Sequence, residues 1–295
     1  MGILRAVFSR IFFVFFSFPG LVFTDDQTIA DPPPPIGNFA LPTSQQPGPL
    51  VGFGENIIDK NQVQLFVFAD AFIGKNSYAT DAIPSLLWGI RDDLSFFFNV
   101  PFALRDKDRG NHSSGIEDIF AQLEYAFLIK KHSHSVDQAT LVANVTFPTG
   151  SSSKNPPTGF GSTSFFIGTT FNHTGIDWFF FTSPGAVLTT TTKHGTKFGD
   201  QILYQFGLGR NIPSPTGWIF AWMVELDGLY AWKNKIKGHT DPDSGGNVIY
   251  ITPSLWFSSK RLILQFGAGY PVVQHLFGHQ SRKFLSFDFN FGVTL

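Results

Sequence analysis

Lys283-Phe-Leu-Ser-Phe-Asp-Phe-Asn-Phe-Gly-Val-Thr-Leu295 closes the chain in strict alternation. Phe287, Phe289, Phe291, Val293 and Leu295 share one parity. Ser286, Asp288, Asn290, Gly292 and Thr294 share the other. A period of two predicts a β-strand with one apolar and one polar face. Phenylalanine rings on a whole face need something apolar to lie against.

The same pattern recurs upstream. Ile202, Tyr204, Phe206 and Leu208 oppose Gln201, Gln205, Gly207 and Gly209, and Leu262, Leu264, Phe266 and Ala268 oppose Gln265, Gly267 and Gly269. Alternation and turn residues predict strands at 62–73, 79–90, 94–105, 117–129, 138–148, 163–172, 176–188, 199–210, 217–232, 247–257, 260–270 and 283–295. Each is near the roughly 9–11 residues that a tilted strand needs to cross a bilayer. Short connectors such as Arg91-Asp92-Asp93 and Ser258-Ser259 alternate with long ones such as 149–162 and 233–246. An even strand number, with short turns at one end and long loops at the other, predicts an all-β fold. It is a single transmembrane antiparallel β-barrel of about 12 strands in a bacterial outer membrane, with both termini in the periplasm. Leu295 stands where such a barrel usually ends on Phe.

Composition agrees. Charged residues make up 15% of the 295 and aromatics 16%, with 36 phenylalanines, yet the mean hydropathy is only +0.06. Soluble domains carry about 25% charge. A barrel reconciles an apolar surface with average hydropathy by turning its polar half inward. A net charge of −1 suggests no nucleic-acid partner, and the lack of cysteine excludes disulfides.

Residues 1–24 read as a signal peptide: Arg5 and Arg10 precede the apolar run 11–23, which is too short to span as a helix. Residues 25–61 contain Pro32 to Pro35, Pro42, Pro47 and Pro49 and are a periplasmic linker or a plug, the linker being preferred. The barrel proper is expected over 62–295.

Facing follows from charge. Glu225 and Asp227 oppose Phe220, Trp222, Val224 and Leu226, and burying those carboxylates in lipid would be costly, so they face the lumen. The same parity gives the lumen Asp70, Asn99, Arg105, Gln122, Glu124, Asn144, Asp288 and Asn290. It also gives Phe66, Phe68, Phe72, Phe97, Phe166, Phe179 and Phe181. Those rings are read either as core packing, the preferred reading, or as the lining of an apolar conduit. A β-bulge would flip any of these parities.

No catalytic or metal-binding set is expected. All eight histidines fall in predicted connectors, and His132-Ser-His134 lacks a third ligand. Asp241-Pro-Asp243-Ser-Gly-Gly lacks the bidentate Glu of a calcium loop. The chain therefore reads as a non-enzyme without cofactor.

One segment carries a resemblance. Thr140-Leu-Val-Ala-Asn-Val-Thr-Phe-Pro-Thr-Gly150 leads through a polar loop to Gly159-Phe-Gly-Ser-Thr163 and the next strand. It resembles the outer-membrane transporter family linked to the meta-cleavage pathway of phenol degradation. The motif covers about residues 140–172. The resemblance implies a monomeric barrel associated with uptake of hydrophobic or aromatic compounds. The expected partners are outer-membrane lipid, a small apolar or aromatic solute, and the barrel-assembly machinery acting on the C-terminal strand. The expectation is thus a passive channel. The alternative is a closed structural or surface-binding barrel that acts through its long loops.

Overall fold

A computed structural model describes residues 33–54, 56–108 and 110–295. The signal peptide expected at 1–24 lies outside the described residues. Twelve strands cross the barrel wall. They are β1 (Val63–Gly74), β2 (Ser77–Arg91), β3 (Leu94–Asn99 with Phe102–Asp108) and β4 (Asn111–Ile116 with Phe120–Lys131). Then follow β5 (Ser135–Thr146), β6 (Ser164–Gly175), β7 (Trp178–Thr189), β8 (Gln201–Ile212), β9 (Trp218–Ala231), β10 (Gly246–Ser259), β11 (Leu262–Leu276) and β12 (Lys283–Thr294). Each pairs antiparallel with its sequence neighbours, and β12 pairs with β1, which removes both edges of the sheet. In that closing pair Leu65 faces Val293 and Val67 faces Phe291 on one side of the sheet, while Phe66 faces Gly292 and Asp70 faces Asp288 on the other. The Leu295 amide adds a hydrogen bond to the Val63 carbonyl (3.0 Å).

The two faces have opposite chemistry. Leu65, Val67, Phe206, Leu208, Phe287, Phe289 and Phe291 are exposed on the outer wall, where lipid would cover them. Glu124, Ser183, Glu225 and Gln265 are fully buried on the inner one. Trp88, Trp178 and Trp218 stand exposed at the strand ends nearest the short turns, and the Arg210 guanidinium lies 5.1 Å from the Trp178 ring centre. Amphipathic rings at that depth fit a membrane interface. No helix among the described residues is long and apolar enough to cross a membrane.

The wall is irregular at one place. Pro101 has no amide to give the ladder, and there β3 divides. Its first half pairs with Phe120–Tyr125 of β4, its second with Asn111–Ile116. Val100 N–H bonds the Pro84 carbonyl (3.0 Å) and Glu117 N–H the Pro101 carbonyl (2.9 Å), which stitch the break. Two residues of β3, Leu104 and Arg105, oppose the single Ser114 of β4, so the strand bulges.

Several sequence expectations change here. The stretch 106–116, expected as a long loop, is a strand extension and hairpin, and β11 runs on to Leu276. His112, His173, His239 and His275, all expected in connectors, lie within strands. The loops after β7 and β9 carry a small sheet of their own, made of Thr196–Lys197, Lys235–Ile236 and His239–Thr240.

Candidate functional site

The lumen is occupied by the chain's own N-terminal segment. The described residues 33–54 and 56–61 belong to the proline-rich stretch 25–61, for which a linker is the preferred expectation; they enter at the short-turn mouth beside Gly175 and Ile176, rise to Glu225 at mid-wall, and return to Gly89. Pro42, Pro47 and Pro49 bring no amide donors, so fewer backbone groups need partners in a confined space. The remaining ones find them on inward-facing side chains.

Entry is fixed first. Asn38 is fully buried; its backbone amide donates to the Ile176 carbonyl (2.8 Å) and its Nδ2 to the Gly175 carbonyl (3.0 Å). Gly37 next to it has φ +57, and a Cβ there would stand 2.1 Å from the Ile176 oxygen, so only glycine fits. Gln45 donates to Thr294 Oγ1 (2.5 Å) and accepts at its carbonyl from Ser258 Oγ (2.7 Å). Gln64 Nε2 donates to the Ser44 carbonyl (2.9 Å), and Gln265 Nε2 to that of Gly48 (3.1 Å).

At the apex, the backbone amides of Leu50, Val51 and Gly52 all donate to the Glu225 carboxylate, at 2.8, 3.2 and 3.1 Å. Successive N–H groups converging on one anion form a nest, and such charge-assisted bonds are the strong ones. Gln205 Oε1 accepts from Phe53 N–H (3.1 Å), and Thr170 Oγ1 donates to the Phe53 carbonyl (3.0 Å). On the return, Glu124 accepts from the Asn56 amide (2.9 Å), Asn56 Nδ2 (2.7 Å) and Gln122 Nε2 (2.6 Å). Ile58 N–H reaches Ser95 Oγ (3.3 Å) and Lys60 N–H reaches Asp92 Oδ1 (2.9 Å).

Beside this segment the wall is aromatic. The rings of Phe66, Phe68 and Phe97 form a triangle with centroids 5.5, 6.3 and 6.1 Å apart. They line a cavity of about 220 Å³ together with Leu87, Trp256, Ile263 and Asn290 of the wall and Leu50, Phe53 and Ile57 of the segment. A second cavity of about 490 Å³ lies between the segment and β4 to β6 at the short-turn mouth.

The other candidate residues are placed as follows. Phe179 and Phe181 are buried with their rings over glycines of β8; a Cβ on Gly209 or Gly207 would come within 2.2 or 2.1 Å of them. Asn99 is buried and accepts from Ser85 Oγ (2.6 Å). Asp227 accepts from Thr252 Oγ1 (3.2 Å) and Gln205 Nε2 (3.3 Å), and Asp288 from Ser286 Oγ (3.0 Å). Asp70 is half-buried and sits in register between Asp288 and Asp81. Arg105 is a correction. The β3 bulge turns it outward, where it is exposed with its guanidinium 5.5 Å from the Tyr78 ring centre, and brings Asp106 inward instead.

Sequence parity missed the carboxylates Asp81, Asp106 and Glu117 and the segment residues Asn38, Gln45 and Asn56. Asp81 shares parity with the buried Ser85 and Leu87 of β2 and was within reach of that argument. The segment residues carry no periodicity, and nothing local marks which wall groups they meet.

No protein-family model matches the sequence, and no curated protein resembles it. The fold has relatives. An outer-membrane channel from Pseudomonas putida F1 superposes with a TM-score of 0.69 at 14% identity, over 85% of this chain and 99% of that one. The NanC porin matches more loosely (TM-score 0.46, 10% identity, 78% of this chain and 98% of that one). So does the β domain of the Bordetella autotransporter BrkA (TM-score 0.45, 10% identity, 80% of this chain and 100% of that one). At 14% identity the first likeness speaks for the fold, that of a bacterial outer-membrane β-barrel.

Proposed function

We propose that this protein is an outer-membrane channel for small apolar or aromatic solutes, closed at rest by residues 33–61. The observation that carries the reading is the cavity between that segment and Phe66, Phe68 and Phe97. It is large enough for one or two aromatic rings, walled mostly by carbon, and fitted with Gln64, Gln122 and Asn290 to orient a polar substituent. Apolar pockets with a few placed polar groups are the usual form of small-ligand sites. The segment's anchors support closure by a detachable element: most are hydrogen bonds to wall side chains, which water can replace, and few are backbone bonds such as that of Asn38 to Ile176. The resemblance around residues 140–172 points to the same solute class, and the P. putida channel shares the architecture. The proposal is of a channel and not of a catalyst.

Calorimetric titration of the detergent-solubilised chain with 2-naphthol tests this. Saturable binding is expected, weakened roughly tenfold in Phe68→Asn, which places an amide in a half-buried wall position. Absence of saturable binding, or an unchanged affinity in the variant, contradicts it. The segment filling the lumen also favours a second reading, a permanently closed barrel that acts through its outer loops. That reading predicts no conductance under any condition that frees the segment.

A further inference from the structure

We propose that the loop end of the lumen holds one hard divalent cation, of the calcium type, between the carboxylates of Asp81, Asp106 and Glu117. These residues come from β2, the second half of β3 and the break in β4, yet one oxygen from each lies within 4.8 Å of the others. Oxygens on opposite sides of a calcium ion, at about 2.4 Å each, are separated by about that much.

A cluster of acids alone would be unremarkable at a channel mouth. Asp106 adds an independent observation. It is only 8% exposed, and although the Thr80 amide bonds its carboxylate, its Oδ1 is fully buried and has no hydrogen-bond partner. Asp81 Oδ1 and the Oγ of Ser113, the residue facing Asp106 across the ladder, are buried and unpartnered as well. Buried carboxylate oxygen without a donor is costly unless a cation supplies the missing charge. Among the described residues none of the three carboxylates has a Lys or Arg ion pair. The neighbouring Lys154 donates instead to the Ser114 carbonyl (2.6 Å). The bulge serves the same end, since regular pairing beyond Ala103 would aim Arg105 inward and Asp106 outward. Three carboxylates, a hydroxyl and water make an all-oxygen ligand set, which calcium prefers. The ion would brace the wall where its ladder is interrupted.

The full chain, purified in detergent free of lipopolysaccharide and stripped with EDTA, would be titrated with calcium chloride by calorimetry. One calcium per chain is expected, at a dissociation constant of about 1 mM or tighter. Asp106→Asn and Glu117→Gln should each weaken it roughly tenfold or more, while Asp288→Asn, in the same acidic lumen but outside the triad, should leave it unchanged. Heat-modifiable gel migration reports folding, and Glu117→Gln carries the test if Asp106→Asn fails to fold. No saturable binding, full affinity in a folded triad variant, or equal weakening by Asp288→Asn would each overturn the proposal, the last by showing diffuse attraction only.

Discussion

Glu225 is the residue that holds the apex of the inserted segment. Its carboxylate is fully buried and accepts three consecutive amides of the inserted segment. Each charge-assisted bond contributes about 1.5–3 kcal/mol, and three on one carboxylate do not add fully. Glu225→Ala should therefore weaken the inserted state by about 3 kcal/mol, or roughly a hundredfold in the released population. Protease susceptibility of residues 33–61 in the folded barrel checks this; equal cleavage of variant and parent would show that the nest does not hold the apex. Glu225 was legible as a lumen residue because its parity opposes Phe220, Trp222 and Leu226. Its partner was not, because backbone amides 173–175 residues away leave no mark in the pattern.

Elements followed parity where strands are regular and departed from it where they are not. The closing strand reads off its own sequence: Phe287, Phe289 and Phe291 outward, Asp288 and Asn290 inward. In β3 the run Leu104-Arg105-Asp106 contains an extra residue that nothing but its neighbours' register discloses, and there a cation and an anion exchange sides. The polar stretch 106–116 likewise reads as a loop, because a hairpin whose residues are mostly polar shows no apolar alternation. Outer loops hold one another by a similar local chemistry. Asp243, in the loop after β9, accepts from the His279 backbone amide (2.7 Å) in the loop after β11. That amide bond, more than the His279 side chain, holds the Asp243 carboxyl below its ordinary value. A depressed folded-state value means the contact adds stability above the ordinary carboxylate range and loses it as pH falls through the lower folded value. Hydrogen exchange at the His279 amide should thus stay slow at neutral pH and quicken on acidification. Asp243→Asn should abolish that dependence, whereas His279→Ala should largely keep it; an exchange rate that follows only the chemical pH trend would rule the contact out.

The whole molecule combines a wall that closes by itself with a segment held in it mainly by side chains. β1 pairs with both β2 and β12 over nearly its full length, so the barrel's hydrogen-bond ladder does not depend on residues 33–61. The segment adds what the wall lacks, namely amides for Glu225 and Glu124 and carbon for the face of Phe66 and Phe97. The measurement that bears most directly on closure is single-channel conductance in planar bilayers, comparing the full chain with one lacking residues 33–61. Closure from within predicts a low or intermittent current for the full chain and a steady, several-fold larger one for the deleted chain, with Glu225→Ala between them. Equal conductance in all three, or a sealed barrel after deletion, would contradict it.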